Sequence, residues 1–207
     1  MKKAKHHWFL YPFLVWYGWL RIKMHFHKIR MIGEFEKKDR PVLLIANHFS
    51  WWDGFFISSF NQQITGKRFH IMMEEKQLSE NSFLNYGGVY SIRKNSKDVV
   101  ESLQYTVELL QKPENMVALF PQGEFESKYQ HPLHFEKGVD WILKKIPDEV
   151  QLLFMANQVE YFDSVKPLLF MHFEEYEYDG KKIEEITKDY NRFYERCFRK
   201  NLTLKNH

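Results

Sequence analysis

His48 and Asp53 lie five residues apart, directly after the apolar run Val42–Ala46. Two side chains share one face of a helix only at spacings of three or four, so a single helix would not join them. They meet if His48 lies in the loop that leaves a strand and Asp53 opens the next helix, where a carboxylate is favoured. A carboxylate bonded to one imidazole nitrogen leaves the other nitrogen able to take a proton. The pattern therefore predicts a general base that acts on a hydroxyl group.

This pair alone is weak evidence for catalysis. A chain with this content of His and Asp contains about 0.4 such pairs by chance. The alternative, a surface histidine beside an aspartate that begins a helix, stays open at this point.

Two further segments contain residue types suited to binding polar ligands. Residues 86–94 place paired glycines before an apolar strand and end in two cations, Arg93 and Lys94. Residues 116–124 are typical of a strand interrupted by Pro121 and Gly123, where backbone N–H groups can face a ligand.

Together, these three segments resemble the glycerolipid acyltransferases, the lysophospholipid and 1-acylglycerol-3-phosphate acyltransferase family. The resemblance covers residues 40–160 and depends on Asn-His-x4-Asp, the glycines followed by Ile92-Arg93, and Phe-Pro-x-Gly in this order. It implies an acyltransferase that moves a fatty acyl group from a thioester to an alcohol without a covalent acyl-enzyme. His48 would deprotonate the acceptor hydroxyl, Asp53 would orient His48, and backbone N–H groups would stabilise the oxyanion.

The resemblance also implies a set of substrate contacts. Arg93 would contact the polar head of the acceptor, and residues 120–124 would shape its pocket. The implied substrate-binding residues are Asn47, Arg93, Lys94, Phe120, Pro121, Gln122, Gly123 and Glu124. The donor would be acyl-CoA or an acyl-carrier protein, with no further cofactor.

No metal site is expected, and Cys197 is not suggested as a nucleophile. The paired and spaced histidines lack cysteine or carboxylate companions and lie among basic residues, which disfavours a cation. These histidines are His6, His7, His25, His27, His131 and His134. Cys197 lies far along the chain from the three segments, on a predicted helical face.

The third segment departs from the family pattern, which usually reads Phe-Pro-Glu-Gly-Thr followed by Arg. Here Gln122 replaces the expected carboxylate, while Glu124 and Glu126 add acid near the place of the expected cation. In addition, residues 153–158 lack the usual proline. Because like charges repel at close range, these changes favour considering an acceptor other than lysophosphatidic acid. A pigment, a glycolipid or an ornithine-type lipid hydroxyl stays open.

Residues 1–30 are basic and aromatic. They contain no Asp or Glu, and basic residues flank the uncharged run 8–20, which includes Trp8, Trp16 and Trp19. As a helix this run would span about 20 Å, short of the roughly 30 Å hydrocarbon core. Trp and Tyr favour the lipid headgroup level, and basic residues are attracted to anionic lipid. We expect a peripheral, monotopic segment on the cytoplasmic face of a membrane, and no nucleic-acid partner. The alternative is an N-terminal helix packed on its own domain.

The rest of the chain predicts an α/β domain. Its 207 residues, 44% hydrophobic and 28% charged with a formal net charge of +3, suit a single domain and exclude a disordered chain. Its one cysteine excludes a disulfide-stapled scaffold. The predicted strands are 42–46, 69–73, 89–92, 116–120, 151–156 and 168–173.

Helical patterns alternate with these strands. One places Val99, Val100, Leu103, Val107 and Leu110 on a single face, and another extends from Ile183 to Cys197. We therefore predict an α/β fold, with a central mostly parallel or mixed sheet flanked by helices. Residues 1–30 form the interfacial helical segment, and residues 31–207 form the acyltransferase domain.

The leading hypothesis is a membrane-associated O-acyltransferase of phospholipid synthesis, acting on a lysophospholipid-type acceptor. Three alternatives remain. One is transfer to a non-phospholipid alcohol, the second is a catalytically silent lipid- or acyl-carrier-binding protein, and the third is a thioesterase that uses water.

Overall fold

The computed structural model describes residues 1–93 and 98–204. Its strands are β1 (Lys28–Ile32), β2 (Val42–Ala46), β3 (Arg68–Glu74), β4 (Val89–Ile92), β5 (Asn115–Leu119), β6 (Gln151–Glu160) and β7 (Leu168–Glu175). Its α-helices are α1 (Leu10–His25), α2 (Trp52–Phe60), α3 (Glu75–Glu80), α4 (Val99–Leu109), α5 (Lys137–Leu143) and α6 (Ile183–Thr203). A π-helical turn, Asn61–Thr65, extends α2, and a 3₁₀-helix, Ser82–Tyr86, precedes β4.

The strands form one seven-stranded mixed sheet in the order β1-β7-β6-β2-β5-β3-β4. Neighbouring strands are parallel except β6 and β7, which are antiparallel. Every residue of β2 and β5 is buried, as expected for central strands covered on both faces. The predicted single α/β domain with a central sheet flanked by helices is therefore confirmed.

Two hydrophobic cores cover the two faces of the sheet. Side chains of α4, α5 and α6 pack on one face, where Leu43 and Ile45 of β2 point. Side chains of α1 and α2 pack on the other face, where Val42 and Leu44 point. The alternation along β2 follows from the two-residue period of a strand.

The six predicted strands are present, with ends displaced by up to four residues. The buried face of α6 is also confirmed, since Ile186, Tyr190 and Cys197 are all buried. The assignment of Val100 to the buried face of α4 is wrong, because this side chain is 54% exposed. Val99 and Leu103 of the same helix do pack in the hydrophobic core.

Strand β1 was not predicted. It lies at an edge of the sheet, pairs only with β7 in the described part of the chain, and is nowhere fully buried. Its alternating basic and apolar residues follow from that half-exposed position. The expected boundary at residue 30 falls within this strand.

Helix α1 packs on α2 and also exposes aromatic side chains. A Cβ atom placed on Gly18 would lie 3.0 Å from Phe55 of α2, so the glycine permits close approach of the two helices. Ile22 is buried on the same side. The exposed aromatic side chains of residues 1–30 include Trp8, Phe9, Phe13, Trp16, Tyr17 and Trp19. Across the described ranges, no helix is both long enough and apolar enough to span a bilayer.

Candidate active site

The site forms where β2 ends, in the middle of the sheet. The chain extends the sheet on one side of β2 with β5 and on the other side with β6. In open α/β sheets, ligands bind outside the carboxyl ends of the strands at such a switch point. Asn47 and His48 follow β2 directly, and α2 begins at Trp52.

His48 and Asp53 are in hydrogen-bonding contact. Nδ1 of His48 lies 2.9 Å from Oδ2 of Asp53, in the loop-then-helix arrangement that the five-residue spacing required. The same oxygen accepts the backbone N–H groups of Phe49 and Ser50 at 2.8 and 2.9 Å. Because a carboxylate oxygen only accepts, Nδ1 of His48 carries the proton, and Nε2 is the nitrogen with a free lone pair in the neutral ring.

Asp53 is fully buried at the start of α2. Burial raises the pKa of its carboxyl, while the hydrogen bonds from His48, Ser50 and Phe49 act in the opposite direction. Its second oxygen, Oδ1, is buried without a hydrogen-bond partner among the described residues. Burial therefore makes the negative charge costly, and the three donors on Oδ2 hold it beside the imidazole.

Two phenylalanine rings enclose the imidazole of His48. The Phe120 ring stacks on it at 3.7 Å between centroids and 6° between planes, and the Phe125 ring lies at 4.1 Å and 37°. Two rings cannot stack at these distances on one face, so they cover opposite faces. The ring nitrogens exchange protons in the plane of the imidazole, which the two phenylalanine rings leave uncovered, and the Nδ1 side of that plane is occupied by Asp53.

His48 lines a cavity of about 580 Å³. This volume lies within the range of small-molecule sites, and the walls are mostly apolar. Side chains of α1, α2 and β3, including Tyr11, Phe55 and Ile71, form one side. Side chains of α4 and α5, including Leu103 and Ile142, form another. The arrangement suits an apolar chain whose polar end reaches the imidazole.

The predicted pocket residues divide into two groups. Phe120, Pro121, Gly123 and Glu124 line the cavity beside His48, as expected for residues that shape a substrate pocket. Gln122 does not line it. Its Oε1 accepts the backbone N–H of His48 at 2.6 Å, and its Nε2 donates to a carboxylate oxygen of Glu126 at 2.5 Å.

Asn47 is also turned away from the cavity. Its side chain donates to the backbone carbonyl of Asn157 at 2.9 Å and accepts the backbone N–H of the same residue at 2.7 Å. This pair of hydrogen bonds ties the end of β2 to β6. In this structure Asn47 therefore positions the strand end, and its substrate contact stays a prediction.

Arg93 is held in ion pairs at the end of β4. Its Nε and Nη2 donate to the two carboxylate oxygens of Glu75 at 2.8 Å each, and its Nη1 donates to Asp98 at 3.0 Å. Ile92, its neighbour, lines the cavity. Arg93 thus lies next to the site with its guanidinium engaged by acids. Lys94 falls outside the described residues.

Sequence reasoning missed the roles of Phe125 and Asn157. The sequence did mark position 125, because an aromatic residue stands there where the resembling family usually has arginine, but its stacking on His48 depends on the fold. No local signal marks Asn157, whose backbone groups meet Asn47 across 110 positions of chain. Cys197 is a residue of α6 whose side chain lies in the hydrophobic core, and burial raises the pKa of its thiol to about 12.

A family comparison agrees with this geometry. A family model described as Acyltransferase matches residues 23–155, which is more than half of the chain. The chain belongs to this acyltransferase family, and it is an acyltransferase. The matched range includes β1 to β5 and most of the cavity lining. Among curated proteins, no sequence matches the chain.

Proposed function

We propose that this acyltransferase moves a fatty acyl group from acyl-CoA or an acyl-carrier protein to a hydroxyl group of a lysophospholipid-type acceptor. The supporting observation is the 2.9 Å contact between His48 and Asp53 at the wall of an apolar cavity. A base that faces an apolar cavity suits a substrate in which a hydroxyl group is attached to a long chain. The proposal assigns the enzyme to lipid metabolism, with phospholipid synthesis as its first candidate.

In the proposed mechanism, Nε2 of His48 takes the proton of the acceptor hydroxyl as the oxygen attacks the thioester carbonyl. Asp53 stabilises the imidazolium that forms and keeps the ring oriented. When the tetrahedral intermediate collapses, the C–S bond breaks and the thiolate leaves with the proton from Nε2. The acyl group ends as an oxygen ester, and His48 returns to its neutral state. No covalent acyl-enzyme is needed.

A second acceptor class has support from charge. Glu74, Glu124 and Glu136 line the cavity, with Lys137 as a cation in the described lining. Arg93, the expected contact for a phosphate group, is already paired with Glu75 and Asp98. A phosphate monoester would meet more negative than positive charge here, so a neutral or zwitterionic lipid alcohol is the alternative acceptor. Transfer of the acyl group to water, a thioesterase reaction, is the remaining alternative.

The test offers purified protein a labelled acyl donor with a panel of lysolipids, neutral lipid alcohols and no acceptor. We expect ester products with at least one alcohol and a loss of about 10³-fold in kcat for His48→Ala. His134→Ala, which alters an exposed histidine outside the cavity, is the matched control and should retain full activity. Undiminished product from His48→Ala would refute the mechanism. Donor turnover that is independent of any alcohol would identify a thioesterase.

We also propose that the aromatic surface of α1 rests on a lipid surface. Trp16 and Trp19 are about half exposed, and Lys23 and Arg21 lie beside aromatic rings of the same helix. A recess of about 570 Å³ opens along this helix, and Tyr11 and Val15 line both this recess and the main cavity. Because these two side chains border both spaces, we propose that a lipid substrate enters the cavity from the membrane side, past Tyr11 and Val15.

Vesicle co-sedimentation tests this placement. The combined variant Trp16→Ala/Trp19→Ala should lose most of its binding to anionic vesicles, because interfacial tryptophans supply apolar contact at the headgroup level. Phe198→Ala, which removes an exposed aromatic ring on α6, is the matched control. Equal vesicle binding by the unaltered protein, the double variant and Phe198→Ala would contradict the proposed membrane face.

A further inference from the structure

Gln122 connects His48 to the loop that covers it. Its side chain is 6% exposed, and both polar atoms of its amide are used. Oε1 accepts the backbone N–H of His48 at 2.6 Å, and Nε2 donates to Glu126 at 2.5 Å. The backbone N–H of Glu126 then donates to the backbone carbonyl of His48 at 3.0 Å. Both backbone groups of His48 are thus held by the segment from Gln122 to Glu126.

We infer that Gln122 and Glu126 form a positioning pair that fixes the catalytic histidine, an inference that rests on the proposed function of His48. Neither residue needs to touch a substrate for this role. The residues on both sides of Gln122, namely Pro121 and Gly123, line the cavity while Gln122 does not. The pair acts by holding the backbone of His48, from which the imidazole projects.

The chemistry of the pair requires a hydrogen-bond donor between the two side chains, so at least one of the two positions must be an amide. Residue 122 must accept one hydrogen bond, from the N–H of His48, and donate another, to Glu126. An amide does both, whereas a carboxylate only accepts. Glutamate at position 122, which the resembling family usually carries, would bring two carboxylates into contact in this chain. The carboxylate at position 126 therefore explains why this chain has glutamine at position 122.

The same loop also carries the two rings that enclose the imidazole. Phe120 and Phe125 stack on His48 at 3.7 and 4.1 Å, and Gln122 lies between them in sequence. A displaced loop would move the backbone of His48 and both rings at once. Because misplacement of a catalytic group by about 1 Å can cost on the order of 10²-fold in rate, we expect the pair to affect kcat rather than substrate binding.

The experiment compares Gln122→Glu, Glu126→Gln and the exchanged pair Gln122→Glu/Glu126→Gln. The first should lower kcat by about 10- to 100-fold, with the KM of the acyl donor changed less than about twofold. The exchanged pair should recover to within about threefold of the unaltered enzyme, because a carboxylate at 122 still accepts from His48 and an amide at 126 donates to it. Gln104→Glu, which adds the same charge on an exposed face of α4, is the matched control and should be silent.

The pH profile gives a second readout that a merely structural role would not change. The kcat of Gln122→Glu relative to that of the unaltered enzyme at the same pH should rise as the pH falls, because two carboxylates in contact take up one proton that relieves their repulsion. The exchanged pair should show the profile of the unaltered enzyme. Glu126→Gln should keep most of its kcat, because the amide oxygen at position 126 still accepts from Gln122. If Gln122→Glu does not fold, the exchanged pair still decides, because it must fold and retain kcat within about threefold of the unaltered enzyme.

A Gln122→Glu enzyme with unchanged kcat, or an exchanged pair no more active than Gln122→Glu, would overturn the inference. His48→Ala separates this outcome from failure of the proposed function. If His48→Ala is inactive while Gln122→Glu is normal, only the positioning pair is wrong. If His48→Ala is fully active, the proposed mechanism is wrong. The pair is then judged by the His48 ring resonances in NMR spectra, which Gln122→Glu should shift and the exchanged pair restore.

Discussion

His48, which follows a strand of the central sheet, and His70, which lies within another strand, differ in their hydrogen-bond partners and in their access to solvent. His48 follows β2, donates to the carboxylate of Asp53 and lines the cavity. His70 lies within β3, 3% exposed, where Nε2 contacts the amide oxygen of Asn115 at 3.2 Å. Burial, followed by the nearby His6, lowers the pKa of His70 to about 3. An imidazole thus acts as a base when an acid supports its charge and its other nitrogen is accessible, and it stays a neutral core residue when neither holds.

The largest expected effect comes from giving His48 the kind of partner that His70 has. Asp53→Asn replaces the carboxylate with an amide, which does not stabilise an imidazolium. We expect kcat to fall by about 10²- to 10⁴-fold, measured with saturating donor and acceptor. The melting temperature should not fall, since burial raises the pKa of Asp53 and the substitution removes a costly buried charge. An Asp53→Asn enzyme with more than a third of normal kcat would remove the distinction between the two histidines.

The reverse exchange gives His70 a carboxylate. Asn115→Asp should lower the free energy of unfolding by about 2–4 kcal/mol, measured by denaturant titration. Asn115 also donates from Nδ2 to the backbone carbonyl of Leu109 at 2.8 Å, and a carboxylate would lose this hydrogen bond and place a negative charge against that oxygen. We expect kcat to stay within about twofold at a temperature where the variant is folded. A large loss of kcat in the folded variant would indicate that this buried site takes part in catalysis.

The smallest effect is a pH dependence of stability. The pKa of His70 is lower in the folded protein than in the unfolded chain, so the unfolded chain binds the proton more tightly. The stabilising contribution is complete above about pH 6.5 and is lost as the pH falls towards the folded value. We expect the free energy of unfolding to fall by about 2 kcal/mol between pH 6.5 and pH 5, measured by urea titration.

A variant isolates the contribution of His70 from its neighbours. His6, Arg68 and Lys112 are the other charged or titratable groups that act on this ring, and burial lowers the pKa of His6 as well. His70→Gln should therefore flatten the pH dependence without abolishing it. Identical slopes for the variant and the unaltered protein would show that His70 is not the titrating group.

Much of the fold follows from local sequence patterns. The bounds of β2 coincide with an apolar run, because a central parallel strand is buried on both faces. The spacing of three and four residues in α6 gives its buried face directly. Strand β1 was not predicted, because this edge strand carries basic residues and its sequence therefore resembles an exposed segment.

The candidate site was predictable where the chemistry is local. His48 and Asp53 are five residues apart, so a loop and a helix start suffice to join them. The orientations of Gln122 and Arg93 were not predictable, because they depend on partners from distant parts of the chain. Gln122 reaches a backbone 74 residues away, and Arg93 meets Glu75 across 18 residues. Residue type indicated polar function at both positions, and tertiary hydrogen bonding decided which function.

The close approach of α1 to α2 at Gly18 connects α1 to the wall of the cavity. Phe55, which contacts Gly18, also lines the cavity, and its helix carries Asp53. Tyr11 and Val15 of α1 line the same space. The exposed helix α1 and the carboxylate of Asp53 are therefore connected through α2. If α1 rests on a bilayer as proposed, the curvature or lateral pressure of that bilayer would change the width of the cavity that we propose for the acyl chain.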